Sequence, residues 1–429
     1  MRRGKQRKNK EDNMSSCVVK IDSQEYDGEY EIEDRKAKVE IYNFSSGTSL
    51  ANGEFVRYKE IEVYDLRNKI YIYSPTFYHT SESWGLTQYE TFETNFFLQT
   101  SRQENFGGLS ETTRIKSITF YHPMLIHYFN NPCLFIKSCE DEINCTLNLK
   151  SDTHEISIQR NNVEKVIFGG VYSYSLKNER RNLNIETENY AEIVFSTPIE
   201  YEQLLEYINE FDVFVNAYYP IGKRSYKTFV TTIDDKNYVF THKLLGDDKE
   251  YTKATHPLIK LNFFGFIEKM YSKIDYRNAQ NKNKYVLLDF KKPTSLEDQY
   301  TYYFRYIDLF MGEYLKNKTG SEPSNYDRIS SFVDEYISCF DAQDTGDLEK
   351  LKQELNSLRN HYVHEGYYLP EGKFKVTGKR REILYMKTMD YQWLYRITQA
   401  LKQGSYKILY TQILDVEINE NILKIVALK

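Results

Sequence analysis

The chain is poor in the residues that most enzyme chemistry draws on. Histidine occurs 8 times and cysteine 5 times in 429 residues. The cysteines are Cys17, Cys133, Cys139, Cys145 and Cys339. An odd number argues against a disulfide framework, and the six-residue recurrence of Cys133, Cys139 and Cys145 is not a zinc spacing. Their simplest reading is as small buried hydrophobes. No apolar run approaches the ~20 residues that a membrane-spanning helix needs. The charged N-terminus has no apolar segment behind it, as a secretory signal would. These absences point to a cytoplasmic protein without a membrane partner. The patterns G-x-x-x-x-G-K-[ST], G-x-S-x-G and H-E-x-x-H are all missing, which removes P-loop, serine-hydrolase and zincin chemistry.

What is present is ordinary in bulk and uneven in place. Hydrophobic residues make up 40% and charged residues 28%, the composition of a globular protein long enough for two or three domains. Net charge is −5, yet the first ten residues, MRRGKQRKNK, hold six Lys/Arg and no acid. Residues 1–14 therefore read as a basic, solvated tail.

The hydrophobic period divides the rest, and the expected class is α+β. Residues 15–290 read as a β-rich domain. Stretches such as KAKVEIYNF (37–45), EIEVYDLRNKIYIYS (60–74), IKSITFYH (115–122) and AEIVFST (191–197) alternate apolar and polar residues between Asn, Asp, Gly and Ser clusters. The 39 Tyr and 25 Phe suit a half-buried pleated surface. One helical interruption is expected over 198–219. LLDFKK (287–292) reads as a strand running into a linker at 291–298.

Residues 291–429 change to a helical period. Leu296, Tyr300, Tyr303, Ile307, Phe310 and Tyr314 are spaced four, three, four, three, four, one face of a long helix capped by Ser295. A second helix follows through Ile329, Phe332 and Tyr336. A third, capped by Asp347, runs through Leu351, Leu355, Leu358 and Tyr362. A fourth runs through Met386, Met389, Trp393, Ile397 and Leu401. Four amphipathic helices on short or medium loops read as a bundle.

The third helix ends in RNHYVHEG (359–366), which holds two of the eight histidines. At ~100° per residue, Arg359 and His364 do not share one face of a regular helix. They converge if the last turn unwinds toward Gly366, or if a second chain completes the pocket. The bland alternative is a helix C-terminus carrying dipole-compatible cations.

Arg359-Asn360-His361-Tyr362-Val363-His364 resembles the R-x4-6-H motif of HEPN domains, including the polar residue after the Arg. The strand-rich region ahead of a helical bundle is similar in layout to ApeA-type antiphage HEPN proteins. The resemblance implies a metal-independent endoribonuclease, with no cofactor, that acts as a homodimer. It implies that His364 moves the proton of an RNA 2′-hydroxyl and that Arg359 holds the phosphate oxygens. Asn360 would position the phosphate or the Arg. Products would end in a 2′,3′-cyclic phosphate and a 5′-hydroxyl. Abortive infection would be the setting and a phage-derived molecule the trigger, with tRNA or another cellular RNA as substrate. The residues themselves suit that chemistry, since imidazole titrates near neutrality and guanidinium is a permanently charged planar fork.

His361 lies close enough to help bind phosphate. Residues 371–407 carry nine Lys/Arg against three acids, and Lys379, Arg380 and Arg381 are candidates for holding an RNA backbone. Tyr367 and Tyr368 are positioned to stack on a base or simply to pack. Two rival readings remain: a non-catalytic RNA- or protein-binding module that dimerises through the bundle, and a metal-dependent nuclease centred on Asp289. The β-rich half offers no catalytic constellation and is expected to sense or recruit. Its His122 and His127 read as packing or surface residues.

Overall fold

The computed structural model describes residues 14–44, 56–83, 88–110, 112–127, 133–139, 142–148, 153–177, 182–219, 222–246, 257–278, 282–288, 293–365 and 391–428. The basic tail over 1–13, the 378–381 basic loop, Tyr367, Tyr368, Asp289, Met386 and Met389 lie outside them. The architecture is mixed α+β, in two compact units. One unit holds residues 1–212 and 223–254; the other holds 213–222 and 255–429. The helical unit is thus larger than the 291–429 segment marked by the change of period.

The first unit is built from antiparallel strands. They are β1 (Ser15–Ile21), β2 (Gln24–Glu33), β3 (Lys36–Tyr42), β4 (Val56–Asp65), β5 (Ile70–Ser83), β6 (Tyr89–Thr94), β7 (Phe96–Thr100) and β8 (Arg114–Tyr121). After these come β9 (Cys133–Cys139), β10 (Glu142–Asn148), β11 (His154–Arg160), β12 (Val163–Lys177), β13 (Asn182–Glu200), β14 (Lys227–Thr232) and β15 (Asn237–His242). Strands β5, β4, β1, β2, β3 and β6 pair in that order, and β6 pairs back onto β5, closing a six-stranded barrel. Closure leaves no free edge within that ring.

Alternation sends Val19, Ile21, Val39, Ile41, Ile61, Val63, Ile72, Phe77 and Phe92 into one buried cluster. Each such side chain contributes about 1.5–3 kcal/mol on burial. Gly28 is required there, because a Cβ would come within 2.9 Å of Val19 Cγ2 and closer still to the Glu40 carbonyl oxygen. Register is set by two-residue hairpins whose central residues all have positive φ: Asp22 and Ser23, Asp34 and Arg35, Asn161 and Asn162. From β5 the sheet continues as β7, β15, β14, β8, β13, β12 and β11.

The 60–74 alternation spans a hairpin, β4 and β5 joined by Leu66–Lys69. Strands β9 and β10 form a separate two-stranded sheet. Its register sets Cys133 opposite Asn148, Cys139 opposite Glu142 and Cys145 opposite Ile136, so no two of these cysteines are paired across it.

The helices are α1 (Leu204–Tyr218), α2 (Phe263–Lys273), α3 (Lys282–Tyr285), α4 (Leu296–Thr319), α5 (Asn325–Glu335), α6 (Ala342–Thr345), α7 (Leu348–Glu365), α8 (Tyr391–Lys407) and α9 (Glu420–Leu428). The expected helix over 198–219 starts later, because β13 runs on to Glu200 and a single 3-10 turn precedes α1. Helix α2 falls in the region read as strands. Asn262 caps it by accepting from Gly265 N at 2.9 Å, and Phe263, Phe266, Ile267, Met270 and Tyr271 form its buried face.

The expected strand from residue 287 is also corrected, since Val286–Leu288 is a 3-10 turn following α3. Its carbonyls are met by side chains rather than by a neighbouring strand. Tyr302 donates to Val286 O at 2.6 Å, and Tyr306 donates to Lys284 O at 3.2 Å. Three consecutive apolar residues cannot tell a strand from a buried helical turn.

The four long helices from residue 295 onward are all present. Asp298 N donates to Ser295 Oγ at 3.1 Å, and Lys350 N donates to Asp347 Oδ1 at 3.1 Å, as the capping positions imply. Helix α4 packs on α5 and α8, and α5 packs on α7. The α5–α8 approach depends on Gly404, where any Cβ would overlap the Phe332 ring. Tyr300, Tyr303 and Ile307 of the expected α4 face are buried, whereas Phe310 and Tyr314 are only half-buried. Helix α8 runs on as a π-helical segment, Ile408–Ile413.

Candidate functional site

Three helices bring charge together around one carboxylate. Asp308 stands on α4, Arg328 on α5 and Arg359 near the end of α7. Arg359 Nη2 and Arg328 Nη1 each lie 3.5 Å from the same oxygen, Asp308 Oδ2. Their side chains are 17% and 18% exposed, and that of Asp308 is 18% exposed. Arg359 Nη1 also donates to Asn360 Oδ1 at 3.1 Å. Arg328 Nη2 donates to Glu322 Oε1 at 2.9 Å and to the Pro323 carbonyl at 3.3 Å.

The local sequence explains the convergence. Gly312 lies one turn beyond Asp308 on α4. A Cβ there would meet the Arg328 guanidinium at 3.1 Å, so the missing side chain lets that plane lie on the helix. Glycine inside a helix costs about 1 kcal/mol relative to alanine. Here it makes room for a cation. Arg359 stands in the last two turns of α7.

At 3.5 Å each, the two guanidinium–carboxylate contacts are longer than the 2.7–2.9 Å of a tight charge-assisted hydrogen bond. Two cations share one anion in partly desolvated surroundings. Glu322, 63% exposed, supplies the second anion at the outer side of Arg328, at 2.9 Å.

The expected site residues stand as follows. Arg359 and Asn360 are in direct contact. His361 and His364 lie on α7, and their side chains are outside the described residues, as are Lys379, Arg380 and Arg381 altogether. The unwinding of the last turn that would bring Arg359 and His364 onto one face is not found. Helix α7 is regular through Glu365, which separates the two positions by about 140° around its axis. Sequence reading missed Asp308, Arg328 and Gly312. A glycine in the middle of a strongly periodic helix was the available signal for Gly312, but no local pattern links residues 308, 328 and 359.

Buried histidines and a buried carboxyl group stand in the strand-rich unit. His122 Nε2 donates to the Lys223 carbonyl at 3.2 Å, while Nδ1 accepts from Met124 N at 3.2 Å. Burial pushes its pKa down to about 4. His242 Nδ1 accepts from Leu244 N at 3.2 Å, and its Nε2 pairs with Thr228 Oγ1 at 3.2 Å. Burial, with the charges of Arg35 and Arg224, lowers its pKa to about 3. Asp212 Oδ1 accepts from both Ser225 N and Ser225 Oγ, at 3.0 and 2.6 Å. Burial raises its pKa to about 7 against those hydrogen bonds. These groups have their hydrogen bonds within the fold, which marks them as structural.

The larger cavity described in the helical unit, about 590 Å³, is lined by Tyr306, Phe310, Tyr314, Asn317, Asn283 and Gln412 among others. It lies on a different face of α4 from Asp308 and touches neither arginine. Among the described residues, no group of three or more His, Cys, Asp or Glu could hold a metal ion. No described helix is long and apolar enough to cross a membrane.

Fold and site together define a two-unit α+β protein with an Arg–Asp–Arg cluster in its helical unit. Comparison with family models, curated proteins and solved structures finds no match to the chain.

Proposed function

We propose that the protein is a metal-independent endoribonuclease of the HEPN type, acting in antiphage defence by abortive infection. The observation that carries the reading is the Arg359 guanidinium. It is half-buried, braced by Asn360 and Asp308, and stands five residues before His364 on one helix. Arg359 binds the non-bridging oxygens of the scissile phosphate and stabilises the charge that builds there. His364 accepts the proton of the 2′-hydroxyl as that oxygen attacks phosphorus. The 5′-oxygen leaves and takes a proton from solvent, and the His364 imidazolium returns its own proton to solvent. One phosphodiester bond is exchanged for a 2′,3′-cyclic one, and no water is consumed.

Because α7 stays regular to Glu365, convergence of Arg359 and His364 within one copy is disfavoured. A homodimer that pairs two motif copies satisfies the geometry, and His361 and the basic residues Lys379, Arg380 and Arg381 then serve RNA binding. The strand-rich unit takes the role of sensor for a phage-derived trigger, in the cytoplasm.

The test is cleavage of total tRNA or rRNA in the presence of a chelator, with wild type, Arg359→Ala and His364→Ala side by side. Cutting that survives the chelator and is lost in both variants supports the proposal. Cutting lost in the chelator points to a metal-dependent nuclease, and RNA retained but never cut points to a binding module. A silent resting protein is retested by growth on induction, with and without phage. The proposal fails if cells expressing wild type and His364→Ala behave alike.

A further inference from the structure

Resting on the nuclease reading, we infer that Arg328 is a second phosphate-holding guanidinium of the same site, with Asp308 as the anion that positions both arginines. Two observations point there independently. The first is geometric. Arg328 and Arg359 approach one carboxylate oxygen from two different helices at equal 3.5 Å distances. Their Nη atoms are therefore at most about 7 Å apart, a span that one phosphodiester can bridge.

The second is an imbalance in hydrogen bonding. Arg328 Nε and Asp308 Oδ1 are both buried and have no hydrogen-bond partner among the described residues. Buried polar groups are normally paired, so one unfilled donor and one unfilled acceptor within a single ion-pair cluster leave hydrogen-bonding capacity there. The room for this arrangement is made by Gly312, which lets the Arg328 guanidinium lie against α4.

The cluster thus behaves as a preloaded anion site. Asp308 offsets one of the two positive charges and holds both forks in place while RNA is absent. A phosphate then adds contacts to donors that Asp308 leaves unfilled. Glu322, 63% exposed, is the competing anion at the outer edge of Arg328. Planar forks matter here, because a lysine supplies charge without paired donors.

The experiment measures binding of a short single-stranded RNA by the full chain carrying His364→Ala, so that binding is read without cleavage. Anisotropy is followed across a salt series. Adding Arg328→Gln is expected to weaken binding about tenfold and to reduce the slope of log K against log salt by about 0.7, the loss of one phosphate contact on a single strand. Arg328→Lys is expected to restore the slope but not the full affinity. Glu322→Gln, at an exposed position, is expected to tighten binding about twofold. Unchanged affinity and slope in Arg328→Gln, with Glu322→Gln also without effect, would overturn the inference and leave Arg328 as a brace between α4 and α5. Absence of RNA binding by the His364→Ala parent overturns the nuclease reading itself, and this inference with it.

Discussion

Two sets of ionisable groups, one in each unit, are held in opposite ways. In the strand-rich unit His122, His242 and Asp212 are fully buried, hydrogen-bonded to nearby groups and shifted toward their neutral forms. In the helical unit Arg359, Arg328 and Asp308 stay partly exposed, with donors and an acceptor left over. Burial in a low-dielectric interior disfavours charge unless it is paired. Groups taken fully out of water are therefore spent on the fold. Groups held at the margin keep some of their hydrogen-bonding capacity, and that surplus is what the proposed site draws on.

The comparison can be broken most forcefully at the barrel core. Phe92→Ala is expected to lower unfolding free energy by about 3–5 kcal/mol, measured by urea titration, through lost burial and the cavity it leaves. Next comes the arginine cluster. Arg359→Ala is expected to cut cleavage by at least about 100-fold while changing the melting temperature little, the pattern of a group that serves the site and not the core. A large fall in stability with intact cleavage would reverse the contrast.

A pH series sharpens it further. The buried histidines have folded pKa values near 4 and 3, below the ordinary value of 6.5. Their stabilisation is full above about pH 6.5 and is lost as pH falls toward 4, on the order of a few kcal/mol. Asp212 runs the other way. Its folded pKa is about 7, so its contribution is full at acid pH and is lost as pH rises from 3.8 through 7. Asp212→Asn removes that opposing term, and its melting temperature is expected to fall more steeply with acidification than that of wild type.

At the α5–α8 crossing, Gly404→Ala is expected to cost about 1–3 kcal/mol by overpacking against Phe332, despite alanine's better helix propensity. The smallest effect belongs to the exposed Lys260–Glu417 pair, whose side chains are 57% and 74% exposed. Lys260→Met is expected to change stability by less than about 1 kcal/mol in the same titration.

Local chemistry made much of the fold legible. The caps at Ser295 and Asp347 and the period of α4, α5, α7 and α8 could be read because each depends on residues three or four apart. Alternation likewise revealed strands such as β3 and β8. Short apolar stretches misled. Val286–Leu288 carries too few residues to separate a helical period from a strand run, whereas α2 shows a full helical spacing at Phe263, Phe266, Ile267, Met270 and Tyr271 that the β-rich reading of its surroundings overrode. The barrel was invisible for another reason: β6 closes onto both β3 and β5 through pairings that no single segment encodes. At the site, Arg359 and Asn360 stood out as neighbours in a motif, and their hydrogen bond needs only one helix turn. Asp308 and Arg328 did not, because nothing local ties them to residue 359.

By itself, then, the sequence determined the class and the period of each half, the helix starts, and the placing of an arginine beside an asparagine near one helix end. Those properties follow from short-range sterics, capping and hydrophobic spacing. Ring closure of the barrel, the burial that shifts His122, His242 and Asp212 toward their neutral forms, and the meeting of Arg359 with Asp308 and Arg328 were decided only by tertiary structure. Each depends on surfaces far apart in the chain excluding water from the same place.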